Sequence, residues 1–305
     1  ELIKRGYSLD GNTRIWNIAD SKLWYLTPKQ AQGYLDLEKS AEYQKDVNQA
    51  GESLVEENMK NIMESVEGGP LNVVDLGCGD GRKAKQVMQH LKEKNKLRYC
   101  PIDISGYMVA KAIENVSKMD NVDEIIEFKY NISDFENLEN ITPLLTKGDY
   151  KRNLFLLLGN TLGNFEVNDI LYQIHSAMNK GDLLLIGTGI DDHKGDARAV
   201  SYKNNELWHD WLGEVICQLG LDKKNVRIDS RFANSRIEMF YVIEKDQLVE
   251  FLDKKVYFKK GDQIVVLVAY KHKIEALERY LRIYFDRLEL KISPDHSTAL
   301  AMCWK

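Results

Sequence analysis

Val73-Val74-Asp75-Leu76-Gly77-Cys78-Gly79-Asp80-Gly81 is the stretch from which the fold of this chain can be read. The valines and leucine around Asp75 make a short buried strand, and three glycines at alternate positions make a tight turn. A helical segment over 82–94 follows at once. Strand, glycine turn and helix in that order open a βαβ unit, with the turn at the carboxyl end of the strand, where an open parallel sheet receives its ligands.

Upstream, residues 13–66 read as mostly helical, with apolar positions 55, 59, 62, 63 and 66 on one face, until Gly68-Gly69-Pro70 breaks the chain. Downstream, strand-like runs at 97–102, 125–130, 153–158 and 182–187 alternate with helical stretches such as 106–119. The nearly continuous Leu/Ile runs at 153–158 and 183–186 suit strands buried on both faces of a parallel sheet. After Thr188 the alternation stops: 191–222 reads as helical, and period-2 runs at 236–243 and 263–268 suit antiparallel strands. The first pattern then resumes with a helix over 271–287 and strands at 288–292 and 298–304, joined by a turn at Pro294-Asp295. The expectation is an α/β fold with a Rossmann-like, seven-stranded core over 67–190 and 271–305, and a split, inserted α+β domain over 1–66 and 191–270.

The 305 residues carry 42 Lys plus Arg against 47 Asp plus Glu, a net charge of −5, with 44% hydrophobic and 29% charged residues. That is the composition of an ordinary soluble globular protein. Basic residues come in scattered pairs, so no nucleic-acid partner is expected, and no apolar run is long enough to predict a membrane span. No signal peptide is visible ahead of Glu1, and the scattered cysteines make a reduced, cytoplasmic setting the expectation. Cys78, Cys100, Cys217 and Cys303 form no CxxC pair, and His193, His209, His272 and His296 have no ligand spacing, so no metal and no disulfide framework are predicted.

A dinucleotide site wants a third glycine at the sixth loop position, and here that position is Arg82. Asp75 and Asp80 also flank the turn, an arrangement that repels a pyrophosphate and tolerates a ligand with ammonium and sulfonium charges. The cofactor so implied is S-adenosyl-L-methionine, held at Asp75, Gly77, Gly79 and Gly81. Asp103 ends the next strand 26 positions after Gly77, where a doubly wound fold places the acid that binds ribose hydroxyls. Asp134-Phe135, after the third strand, offers an acceptor for the adenine amine beside a ring that can pack on the base.

On these residues the chain resembles the class I S-adenosylmethionine-dependent methyltransferases. It is similar more narrowly to the histidine-specific methyltransferase family, through Arg98-Tyr99-Cys100-Pro101-Ile102-Asp103-Ile104-Ser105, Leu158-Gly159-Asn160-Thr161-Leu162-Gly163-Asn164-Phe165 and Arg236-Ile237-Glu238-Met239. Weaker similarity reaches Trp24-Tyr25 and Glu42-Tyr43, so it spans nearly the whole chain. The resemblance implies a methyltransferase core capped by a substrate domain, S-adenosyl-L-homocysteine as product, and Gly159 at the cofactor. It implies that Asn164 holds the substrate amine, that Tyr43 lines the substrate pocket and that Tyr202 reaches the substrate carboxylate; Asn164 and Tyr202 are the residues expected to orient the reacting lone pair.

Where the family presents a glutamate and a serine to imidazole, this chain has Leu267 and Ala269, and a further pocket tyrosine falls at Leu26, beside Tyr25. A site built to bond a polar ring loses selectivity by orders of magnitude without those partners. The expected acceptor is therefore the amine of a small, amino-acid-like molecule other than histidine, with an apolar or aromatic side chain. Histidine Nα-methylation, a non-catalytic S-adenosylmethionine-binding module and an NAD-dependent oxidoreductase are the alternatives. Tyr202, Trp208 and Trp211 fit either a lid over the pocket or the core of the insertion, and the oligomeric state is not legible.

Overall fold

The computed structural model describes residues 2–66, 68–91, 94–120, 122–126, 135–146 and 148–305. The chain divides into two compact units, 39–192 with 272–305 and 1–38 with 193–271.

The larger unit is built on a seven-stranded sheet. Its strands are β1 (Leu71–Leu76), β2 (Leu97–Ile102), β3 (Glu124–Ile125), β4 (Arg152–Leu157), β5 (Leu183–Gly189), β6 (Arg287–Ile292) and β7 (Thr298–Trp304). They lie in the order β3-β2-β1-β4-β5-β7-β6. The first five run parallel, and β7 slots antiparallel between β5 and β6, with Ala301 opposite Ile186 and Leu290.

Side chains alternate across β1, and each face has its own cover. Val74 and Leu76 join a cluster with Ile170, Leu171 and Ile174 of the helix Val167–Ala177 and Leu277 and Leu281 of Ile274–Tyr284. Leu71 and Val73 join another with Val87 and Met88 of Arg82–Leu91 and with Val109 and Ala112 of Gly106–Val116. A sheet covered on both faces is why its central strands read as unbroken apolar runs.

Residues 39–66, grouped by their sequence with the N-terminal segment, lie in this larger unit. The cause is apolar burial: Leu54, Val55, Met59, Ile62 and Val66, on the helices Gln49–Glu57 and Met59–Val66, pack in the same cluster as Leu71 and Val73. The expected strand over 125–130 is seen as Glu124–Ile125, and 127–134 lie outside the described residues.

The smaller unit holds a five-stranded sheet in the order Ser8–Asp10, Thr13–Asn17, Gln263–Tyr270, Arg236–Ile243, Val226–Ala233. Residues 13–17 are thus a strand and not part of a helix. Ile15–Asn17 pair in parallel with Gln263–Val265, and Arg14 is held by Asp262. The pairing of Gln263–Tyr270 with Arg236–Ile243 slips between Val265 and Leu267, a β-bulge. The Val266 carbonyl at the bulge accepts from the Trp24 indole at 2.7 Å.

Candidate active site

The turn after β1 folds back on the sheet: the backbone N–H groups of Gly77 and Cys78 both donate to the carbonyl of Ile102, at the end of β2. Gly77, Gly79 and Gly81 have φ of 66°, 52° and 78°, in the left-handed region that side chains disfavour. Two of them also need the space. A Cβ on Gly81 would lie 3.0 Å from the Ala112 Cα, and one on Gly77 would lie 3.1 Å from Thr161. A Cβ on Gly79 would meet nothing within 4 Å, so the middle of the turn faces open space.

Asp103 stands against that turn. One carboxylate oxygen accepts from the Gly79 N–H at 3.1 Å and the other from the Ser105 N–H at 2.9 Å. Burial pushes its pKa up to about 6, and the Ser105, Gly79 and Ile104 N–H groups hold it from rising further. Asp75 lies deeper, within β1. Burial lifts it to about 7 against the pull of the Tyr99 hydroxyl and the Lys83 ammonium, while Asp103 and Asp80 add to the rise.

Asp80 is not a bare charge beside the turn. The Arg82 guanidinium pairs with it at 2.8 Å, so the like-charge repulsion expected from Asp75 and Asp80 together is partly compensated, two residues being enough for a side chain to fold back. The residue standing where a dinucleotide loop keeps its third glycine is therefore the partner of the loop's own aspartate.

The GNTLGNF segment closes the next edge. Gly159 has φ 76°, and a Cβ there would lie 2.8 Å from Lys83 Nζ. Asn160, at φ 66°, donates its N–H to the Gly187 carbonyl, and its side-chain oxygen accepts from the Gly189 N–H, tying the ends of β4 and β5 together. A 3₁₀ turn, Thr161–Asn164, follows, with the Thr161 hydroxyl on the Leu158 carbonyl at 3.0 Å and Asn164, half-buried, as its last residue. Phe135 is buried with its ring 5.3 Å from that of Phe165. Asp134 lies outside the described residues. Tyr43 is buried at the end of a short helix, Ala41–Tyr43, that Ser40 caps.

A cavity opens beside these elements, lined by Asn48, Glu52, Lys83, Gly159, Asn160 and Thr188 among others. The structure thus gathers Asp75, the three glycines, Asp103 and Gly159 toward the carboxyl ends of β1, β2 and β4. Sequence reasoning missed Tyr99, Lys83, Asn48 and Asn160. Tyr99 and Asn160 stand in segments that carry the family resemblance, and Lys83 is a cation in the first turn of the helix that the glycine loop leads into.

The other predicted substrate residues lie in the smaller unit. Tyr202 stacks on Trp208 at 4.5 Å, and Trp208, Trp211 and Trp24 form a chain of ring contacts. All four are buried. Leu267, just past the bulge, is buried opposite Met239, and Ala269, half-buried, stands opposite Ile237. Leu26 is exposed, and Tyr25 packs on Tyr34 and Trp211. Among the described residues no group of His, Cys, Asp or Glu could hold a metal ion, and no helix is long and apolar enough to cross a membrane.

The sequence profile of one family, described as "Histidine-specific methyltransferase, SAM-dependent", matches residues 47–284. No curated protein matches the chain in sequence. Among solved structures, a S-adenosylmethionine-dependent methyltransferase from Clostridium acetobutylicum ATCC 824 is similar at 12% identity and a TM-score of 0.48, over 90% of this chain and 98% of that one. The PH0226 protein of Pyrococcus horikoshii OT3 is similar at 14% identity and a TM-score of 0.44, over 88% and 93%. Human N-acetylserotonin methyltransferase, solved with SAM, is similar at 14% identity and a TM-score of 0.41, over 83% of this chain and 53% of that one.

Proposed function

We propose an acceptor for this chain, which belongs to the SAM-dependent histidine-specific methyltransferase family and is a SAM-dependent methyltransferase: the amine of a small, amino-acid-like molecule with an apolar or aromatic side chain. The observation that carries the proposal is the pair Leu267 and Ala269, apolar at the two positions where the family resemblance implies imidazole-binding groups, and set directly after a β-bulge. A bulge fixes which face of a strand its neighbours present, and such irregularities recur beside binding sites.

The residues of the larger unit fit the cofactor. Asp103 keeps lone pairs beyond those bound to Gly79 and Ser105, and these suit ribose hydroxyls. The open side of Gly79 admits a close approach of ligand to backbone, and Lys83 offers a cation in the adjoining cavity. When bound, S-adenosylmethionine supplies a methyl group already activated on a positive sulfur. The chain then has to orient the acceptor, exclude water and leave the amine neutral, work that yields rate through positioning. In this reading Asn164 accepts from the amine through its side-chain oxygen and so fixes the lone pair. Tyr43 lines the substrate pocket.

A second reading has one observation in its favour: the matching family profile is that of histidine-specific enzymes, so histidine itself is the competing acceptor. Incubation with labelled S-adenosylmethionine and a panel of histidine, tryptophan, other amino acids and their ring-substituted derivatives separates the two. Turnover of an aromatic or apolar amino acid with histidine silent is the expected result. Preferential methylation of histidine would overturn the proposed acceptor.

A further inference from the structure

We propose that the Asn48 side-chain amide is a positioning and specificity group, donating to the α-carboxylate of an amino-acid moiety held in the cavity beside Lys83; this rests on the methyltransferase reading of the site. Asn48 lines that cavity, is only 4% exposed, and its Nδ2 has no hydrogen-bond partner. A buried amide donor without an acceptor is costly, and native folds rarely keep one without a reason.

The ordinary use of asparagine at this place is ruled out by geometry. Asn48 precedes the helix Gln49–Glu57, yet its backbone is already helical, at φ −93° and ψ −42°, and its side chain makes no capping bond. The turn leading to it, Gln44–Asn48, is π-helical, a rare form that recurs at functional positions. Asn48 is thus neither exposed to water nor used by the helix it introduces.

The rest of the lining says what would satisfy it. Lys83 is a cation, Glu52 an anion, and Val47, Val55 and Leu158 supply apolar wall. Gly51, Gly159 and Gly187 bring backbone rather than side chains to the surface of the cavity. An N–H donor accompanied by an ammonium asks for an anionic acceptor, and Glu52 offers a place for a positive group. A zwitterion with carboxylate and ammonium on one carbon meets all three demands, whereas a phosphate would leave Glu52 opposed by like charge. Two ligands of this site carry that group: the methionyl end of the cofactor and an amino-acid acceptor.

Calorimetry tests the assignment and separates the sources. S-adenosylhomocysteine carries the amino-acid end, and methylthioadenosine keeps the adenosine and thioether without it. Asn48→Asp turns the donor into an anion at nearly constant shape, and Asn48→Leu removes it with an apolar group. Both variants should bind S-adenosylhomocysteine at least about tenfold more weakly than wild type while holding methylthioadenosine within about twofold. If instead S-adenosylhomocysteine affinity is unchanged and KM rises about tenfold for a carboxylate-bearing acceptor, with its decarboxylated analogue unaffected, the amide serves the acceptor. Variants that change neither affinity nor KM would overturn the proposal while leaving the methyltransferase reading intact. Wild-type protein that binds neither adenosyl ligand would overturn that reading and this assignment with it. The melting temperature of ligand-free Asn48→Leu should equal or exceed that of wild type, since an unsatisfied donor has gone; a marked fall would show that the amide serves the fold and would overturn the proposal.

Discussion

The Tyr99 phenol on β2 donates a 2.8 Å hydrogen bond to Oδ2 of Asp75 on β1, with both residues buried between the strands' covering helices. It is the first cause that lowers the Asp75 pKa against burial. Removing it with Tyr99→Phe leaves a buried carboxylate short of one donor. Stability should fall by ~1–2 kcal/mol at pH 8 and by less at pH 5, where Asp75 is protonated and needs the phenol less. Equal losses at the two pH values in urea titrations would show that the bond does not act on the ionised form.

Asp75 and Asp103 together give the protein a pH response near neutrality. Their folded-state values, about 7 and about 6, lie above the ordinary 3.8, so between those limits the ligand-free fold holds protons that the unfolded chain has released. These two groups therefore stabilise the ligand-free fold as pH falls through 7 and 6 toward 4, and weaken it as pH rises. Cofactor binding runs the other way, because ribose hydroxyls and an ammonium are donors to ionised carboxylates. The thermal shift produced by S-adenosylhomocysteine should be larger at pH 8 than at pH 6. A shift independent of pH would contradict the titration of both acids.

Asp103→Ala removes the proposed acceptor of both ribose hydroxyls. With each charge-assisted bond contributing ~1.5–3 kcal/mol, S-adenosylmethionine affinity should fall by about a hundredfold or more. Calorimetry reads it directly, and unchanged affinity would refute the ribose role.

The glycines of the turn separate fold from ligand. Gly81→Ala drives a Cβ to 3.0 Å from the Ala112 backbone at φ 78°, so it should lower the melting temperature strongly. Gly79→Ala meets open space and carries only the left-handed backbone cost of ~1–2 kcal/mol, yet it projects a methyl group where the ligand would approach. It should lose cofactor affinity with a small change in melting temperature. The prediction fails if Gly79→Ala binds S-adenosylhomocysteine as wild type does.

What the sequence made legible was whatever local pattern controls. Leucine runs buried on both faces announce central parallel strands, and Thr298–Trp304 and Arg236–Ile243 have the bounds their periodicity implies. Thr13–Asn17 was not legible, since only Trp16 in it is buried and its partner strand lies far along the chain. An apolar stripe on Met59–Val66 announces burial without naming the partner, so the side on which residues 39–66 pack had to come from the structure. In the candidate site, backbone demands were readable, because glycine is the signature of positive φ. The surroundings of Lys83 and Asn48 were not. Neither belongs to a motif, and their setting is made by residues from several strands and helices. The partner of Asp80 was not legible either, because a charge count does not show that Arg82 folds back onto it.

The parallel seam between Thr13–Asn17 and Gln263–Val265 bears on how the protein emerges from the ribosome. Arg14 and Asp262, which close that seam, are 248 positions apart. At ordinary translation speeds Thr13–Asn17 would wait roughly 12–50 s for this partner strand to be synthesised. Through that interval Trp16 and Trp24 lack the carboxylate and the carbonyl that their indole nitrogens bond in the finished fold. Thr13–Asn17 thus leaves the tunnel long before the strand that it pairs with, a timing that gives nascent-chain chaperones a long window on these tryptophans.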